Sequence, residues 1–216
     1  MKKKIALLMA MVMLFGMTVA GTLAWLQAGT GPVVNTFTVG DINITLDETN
    51  VEGTGRDTTN EYKMVPGQKY VKDPIVHVQP GSEPCWVFVK VAEENNNDDV
   101  IQYAVDTTSW ALVDKDENIY VYGTATVPTA IDALTATVPV DTTSVFAVTA
   151  TGETTNITIS SEVTKADMEN WDGVDADGNA ASAEITARPK LTITAFAIQS
   201  ANITVSEAIE AAVNTL

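Results

Sequence analysis

Alternation of apolar and polar residues at period two recurs along most of this chain, and helical periodicity is scarce. Ile42, Ile44 and Leu46 alternate with Asn43, Thr45 and Asp47, which predicts a strand with one wet face. A polar loop holding Gly53, Gly55 and Asn60 follows. Pro66-Gly67 predicts a tight turn into a strand from Tyr70 to Gln79. Pro74 interrupts that strand and predicts an edge or bulged position, because proline donates nothing to a ladder. Pro80-Gly81 turns into Cys85 to Ala92, the strongest alternation in the chain and its expected central strand. An acidic, Asn-rich loop is expected from Glu93 to Asp99.

Trp110 to Val113 and Ile119 to Tyr122 read as a hairpin closed by the polar run from Asp114 to Asn118. Pro128 and Pro139 break up Val127 to Thr151, so its pairing stays open, and Asn156 to Ser160 reads as a short strand. Thr164 and Asp167 form a capping-box pattern that opens a short helix to Trp171. Leu191 to Gln199 is a late strand with Leu191, Ile193, Ala195 and Ala197 on one face and Phe196 and Ile198 on the other. A second capping box at Thr204 and Glu207 starts a helix to about Val213, with Val205, Ile209 and Val213 as its apolar stripe. The expected fold class is all-β, an antiparallel sandwich with short helices. Nothing repeats at a fixed period, and no linker forces two domains, so residues 25–216 are expected to form one β-sandwich domain.

The start of the chain follows a different pattern. Lys2, Lys3 and Lys4 precede an apolar run from Ile5 to Ala20, and small residues follow it. A positive start, a short apolar core and a small-x-small site mark an export signal. Residues 1–24 are therefore expected to be a signal peptide cut between Ala24 and Trp25, with sites after Ala20 and Ala28 as competitors. Extended through Leu26, the run would reach about 22 residues, the length of an uncleaved anchor. In the cleaved reading the membrane is met only through the signal, and the mature chain is secreted or held at the cell surface.

Charge and cysteine content narrow the functional classes. From Trp25 onward nine basic residues face 28 acidic ones, a net charge of −19, which repels nucleic acid. The one cysteine, Cys85, allows no internal disulfide, so an exported domain must depend on its core. Roughly 190 residues suffice for that. Alternation puts Cys85 on the face shared with Val87, Val89 and Val91, where it acts as a small buried hydrophobe.

Candidate chemistry is sparse. His77 is the only histidine, lies in a predicted strand and belongs to no His-Glu-x-x-His pattern, so it is expected to be structural or at the surface. Cys85 and His77 share no local signature of nucleophilic catalysis. The loop from Trp171 to Asn179 offers a weak calcium pattern: with Gly178 sixth, Asp175 and Asp177 fall third and fifth and Glu184 twelfth, but Gly173 stands where the first carboxylate should be. A solvated acidic loop is the plainer reading, and no metal or cofactor is expected. The sequons at Asn43, Asn156 and Asn202 are read as strand and turn residues, and Trp86, Trp110, Tyr120 and Tyr122 as packing rather than a ligand groove.

Several blocks together resemble the TasA/camelysin-type secreted proteins, which carry a SipW-dependent-type signal read by a dedicated signal peptidase in Gram-positive bacteria. They are Gly21-Thr22-Leu23-Ala24-Trp25, the run Asn35 to Ile44, Met64-Val65-Pro66-Gly67, Lys72-Asp73-Pro74, Glu83 to Val91, and Ala195 to Gln199. The stretch from Thr124 to Thr164 departs from the family pattern. The resemblance implies a jelly-roll-like sandwich that builds extracellular fibres of a biofilm matrix. It also implies that residues 25–39 donate a strand to the next subunit, with Val34, Phe37 and Val39 as assembly residues. A surface adhesin or binding module using the acidic loops is the alternative function. A camelysin-like metallopeptidase ranks below both, and no enzyme is expected.

Overall fold

The structure is a computed structural model and describes residues 40–50, 53–96, 99–147, 156–172 and 188–216. Eleven strands and two helices are assigned among them. In chain order these are β1 (Ile44–Thr49), β2 (Arg56–Asp57), β3 (Lys69–Tyr70), β4 (Ile75–Val78), β5 (Cys85–Glu94), β6 (Ile101–Tyr103), β7 (Trp110–Asp114), β8 (Ile119–Tyr122), β9 (Val140–Asp141), β10 (Ile157–Ile159), α1 (Lys165–Asp172), β11 (Lys190–Gln199) and α2 (Val205–Thr215). The strands form three antiparallel sheets, ordered β2-β1-β4-β9, β3-β10-β6 and β11-β5-β8-β7.

β5 is buried on both faces, which is why its sequence is nearly all apolar. Cys85, Val87, Val89 and Val91 point into the main core, where they meet Val76 and Val78 of β4 and Trp110 of β7. Phe88 points the other way, into a second core with Ile119 and Val121 of β8. β11 pairs with β5 over its full length, from Lys190 opposite Glu94 to Gln199 opposite Cys85. Its two faces divide as the alternation predicts: Leu191, Ile193, Ala195 and Ala197 pack on the main core, Phe196 and Ile198 on the second. The hairpin β7–β8 has a register shift between Leu112 and Asp114.

Turn chemistry closes the strands. Gly67 and Gly81 take φ of 72° and 85°, the positive region expected of the two Pro-Gly turns. Gly123 has φ of 98°, and a Cβ there would lie 2.4 Å from the Thr129 amide, so the backbone needs glycine twice over.

Four expectations are corrected. The stretch from Tyr70 to Gln79 is not one edge or bulged strand. Tyr70 ends β3 in one sheet, while β4 lies between β1 and β9 in another. Pro74 sits at the crossing, where a missing N–H costs no ladder bond. The glycine-containing loop holds a two-residue strand, β2, paired to the end of β1. β5 runs on through Glu93 and Glu94 because β11 continues beside it. The stripe of α2 is centred on the fully buried Ala208 and Ala212, with Ile209 and Val213 beside them and Val205 off the contact. Alanine lets the helix lie close on Phe88 and Phe196, an approach that larger side chains would block. The Thr204 capping box is present in full: Thr204 accepts from the Glu207 amide, and the Glu207 side chain reaches the Thr204 amide. Among the described residues no helix is long and apolar enough to cross a membrane.

Ala212→Leu should overpack the contact between α2 and the sheet and cost about 1–3 kcal/mol. Val205→Ser should change stability by less than about 0.5 kcal/mol. Equilibrium urea unfolding of both variants checks the assignment.

Candidate functional site: an open seam between two sheets

β11 ends its sheet, and among the described residues its outer edge pairs with nothing. β1 is similar: β4 holds one edge from Ile44 to Asp47, and β2 covers the other only at Glu48 and Thr49. The two strands belong to different sheets yet approach within 8 Å between Cα atoms. Among the described residues the edge of β11 thus carries unpaired backbone groups beside this seam, whereas on β1 Arg56 and Asn60 bind the Asp47 and Thr49 carbonyls.

The seam is apolar at its floor and polar at its rim. A cleft of about 270 Å³ opens there, lined by Leu46, Glu48, Asn60, Lys72, Leu191 and Ile193 among others. It runs into a second cleft of about 160 Å³ that shares Asn60, Lys72, Lys190 and Leu191 and reaches Tyr62 and Ile157. The inward side chains of β11 keep partial exposure, whereas their β5 partners Val87, Val89 and Val91 are at most 1% exposed. Thr192 of β11 borders the cleft, and its Oγ1 is buried with no hydrogen-bond partner. A buried hydroxyl without a partner costs about 1–3 kcal/mol.

A tight polar cluster stands on one wall. Lys72 Nζ lies 2.6 Å from Glu48 Oε2, with both side chains mostly buried. Asn60 Nδ2 donates to Glu48 Oε1 at 2.9 Å and to the Thr49 carbonyl at 3.0 Å. The Lys72 ammonium sits 5.5 Å from the Tyr62 ring centroid. Burial, then the charges of Glu48 and Asp73, push the Tyr62 phenol above its ordinary pKa. Asn156 pins the Lys72 backbone from both sides, accepting from its amide at 2.8 Å and donating to its carbonyl at 2.7 Å. This reading of Asn156 as a structural residue agrees with the sequence expectation.

His77 lies on β4 with both ring nitrogens taken. Nδ1 is 2.6 Å from Asp141 of β9, and Nε2 is 3.0 Å from Asp47 of β1. Arg56 of β2 also binds Asp47 and reaches Asp73 at 3.2 Å. Burial opposes charge on the imidazole, but the hydrogen bonds to Asp47 and Asp141 outweigh it and hold its pKa above the ordinary value. Burial likewise opposes the Asp47 carboxylate, and the hydrogen bonds from Arg56 and His77 outweigh that, so its pKa is lowered. His77 thus acts as a clamp across three strands, the structural role expected of it. Cys85 is fully buried, and burial pushes its thiol up to about 11, far from a reactive thiolate.

None of Glu48, Asn60 and Lys72 is expected from the sequence to be a site residue: Asn60 reads as loop, and Lys72 only as part of a family-like block. One signal was available: Glu48 has the same parity as Ile44 and Leu46, so an acid falls at an inward position. The weak calcium candidates Asp175, Asp177 and Glu184, the assembly residues Val34, Phe37 and Val39, and the cleavage pair Ala24 and Trp25 all lie outside the described residues. No protein-family model, curated protein or solved structure matches the chain.

The His77 clamp has a signed pH dependence. A raised imidazole pKa contributes stability in full below the ordinary value of 6.5, and loses it as pH rises through the folded value. Asp47 works in the other direction, losing its contribution only as pH falls through its lowered value. The melting-temperature gap between the parent protein and His77→Gln should therefore be widest near about pH 6 and narrow steadily towards about pH 9. A thermal-shift series across that range reads it directly.

Proposed function

We propose that this chain is an exported structural subunit that assembles by β-strand addition into extracellular fibres. In this reading residues 1–24 are removed as a signal peptide between Ala24 and Trp25, and the remainder is secreted. The three sheets are taken as a jelly-roll-like sandwich whose seam between β1 and β11 is the acceptor. Residues 25–39 of a neighbouring copy are the donor.

The observation that carries the reading is the edge of β11 that stays unpaired among the described residues, a 10-residue strand beside a partly exposed apolar floor. Edge strands of this length are normally short, charged or covered in a monomer, because they template pairing. An extended peptide laid along β11 would satisfy its backbone groups, and each net hydrogen bond contributes about 0.5–1.5 kcal/mol. Phe37 or Val39 entering the cleft would add about 1.5–3 kcal/mol each by burial. The blocks that resemble TasA/camelysin-type proteins point the same way, and in the export reading the strand donor lies at the freed end of the chain.

Deleting residues 25–39 from the processed protein should leave the melting temperature within a few degrees of the parent and abolish fibres in negative-stain electron microscopy. A synthetic peptide of residues 25–39, added in excess, should cut fibre yield of the parent protein in proportion to its occupancy. Fibres of unchanged number and width from the deleted protein would overturn the proposal.

A further inference from the structure

The Glu48 carboxylate holds two nitrogens at once: the Lys72 amine on Oε2 at 2.6 Å and the Asn60 carboxamide on Oε1 at 2.9 Å. A lysine, an asparagine and a bridging acid in a partly buried cleft are the reactants and the proton carrier for an amide transfer. From this geometry we infer that Lys72 and Asn60 form an intramolecular isopeptide bond, with Glu48 as the catalytic acid–base. This proposal is independent of fibre assembly.

The steps balance without any oxidant or cofactor. Lys72 Nζ passes a proton to Glu48 Oε2, which converts a buried ion pair into a neutral amine and a neutral acid. The 2.6 Å contact between Nζ and Oε2 is the path for that proton. The free amine attacks Asn60 Cγ, forming the Nζ–Cγ bond. The Glu48 carboxyl, already against Nδ2, turns its acquired proton onto the leaving nitrogen, and the Cγ–Nδ2 bond breaks. The new amide nitrogen sheds its surplus proton through the same carboxylate. Glu48 ends ionised, and the amide nitrogen departs as ammonium. Both reacting side chains line the open cleft, so the ammonium has a path to solvent.

Positioning is supplied on every side. Asn60 is fixed by its second bond to the Thr49 carbonyl, the Lys72 backbone by Asn156, and the Lys72 ammonium lies over the Tyr62 ring. The one carboxylate brings the amine and the amide into a single cluster, and such gathering of reactants replaces a bimolecular encounter. The bond would close residues 60 to 72 into a ring and fasten the chain between β2 and β4 to itself. A chain with one cysteine has no disulfide to do that work.

Intact-mass spectrometry of the processed, folded protein tests it. The mass should fall about 17 Da below that of the sequence, one ammonia. Trypsin should release a branched peptide joining residues 57–63 to residues 70–90, since an acylated Lys72 is no longer a cleavage site. Glu48→Gln, Asn60→Ala and Lys72→Arg should each restore the full mass of their own sequence. The branched peptide from the parent protein decides the matter even where a variant fails to fold. Full sequence mass with a normal cut at Lys72, or a gain of about 1 Da from simple hydrolysis of Asn60, would overturn the inference.

Discussion

The full-length pairing of β5 with β11 holds this structure together. β5 is the only strand of its length buried on both faces among the described residues, and it feeds both hydrophobic cores. Its alternate side chains therefore serve two packing problems simultaneously, one against β4 and the other against α2. Because β5 is satisfied by β8 on one edge and β11 on the other, β11 is left as the outermost ladder. The open seam is a direct result of that order. Among the described residues no strand lies beyond β11.

The main β-strands and both helices were legible because their signals are local. Period two marked β1, β5, β7, β8, β10 and β11, and the two capping boxes located the helices. Tyr70 to Gln79 was misread because a proline in an apolar run signals a break without saying what kind. Here it marks a passage between sheets, and only the partners of Tyr70 and Ile75 reveal that. β2 and β9 were invisible for a related reason, since two residues carry no periodicity and gain their strand character from β1 and β4. The stripe of α2 was misplaced because apolar spacing favours valine and isoleucine, while close packing on aromatic rings favours alanine.

The site was far less legible than the fold. An open edge is a property of sheet order, and sheet order depends on contacts between residues 100 or more positions apart, as between Cys85 and Gln199. The polar cluster is similar, drawing Glu48 from β1, Asn60 from a loop and Lys72 from the corner before β4. Only the inward parity of Glu48 pointed to it. His77 was read correctly in kind, as a structural residue, but its two carboxylate partners come from β1 and β9 and no spacing announces them.

The placement of Cys85 has one more consequence. Its thiol is sealed at the start of β5, and its backbone exchanges hydrogen bonds with Ile131 in both directions, at 3.0 and 2.8 Å. No reagent can reach the sulfur until that bridge and the core beneath it separate. The rate at which a thiol probe modifies the protein in native buffer is thus a clock for large-scale opening rather than for surface chemistry. A single native atom makes the stability of the central ladder readable without any engineered label.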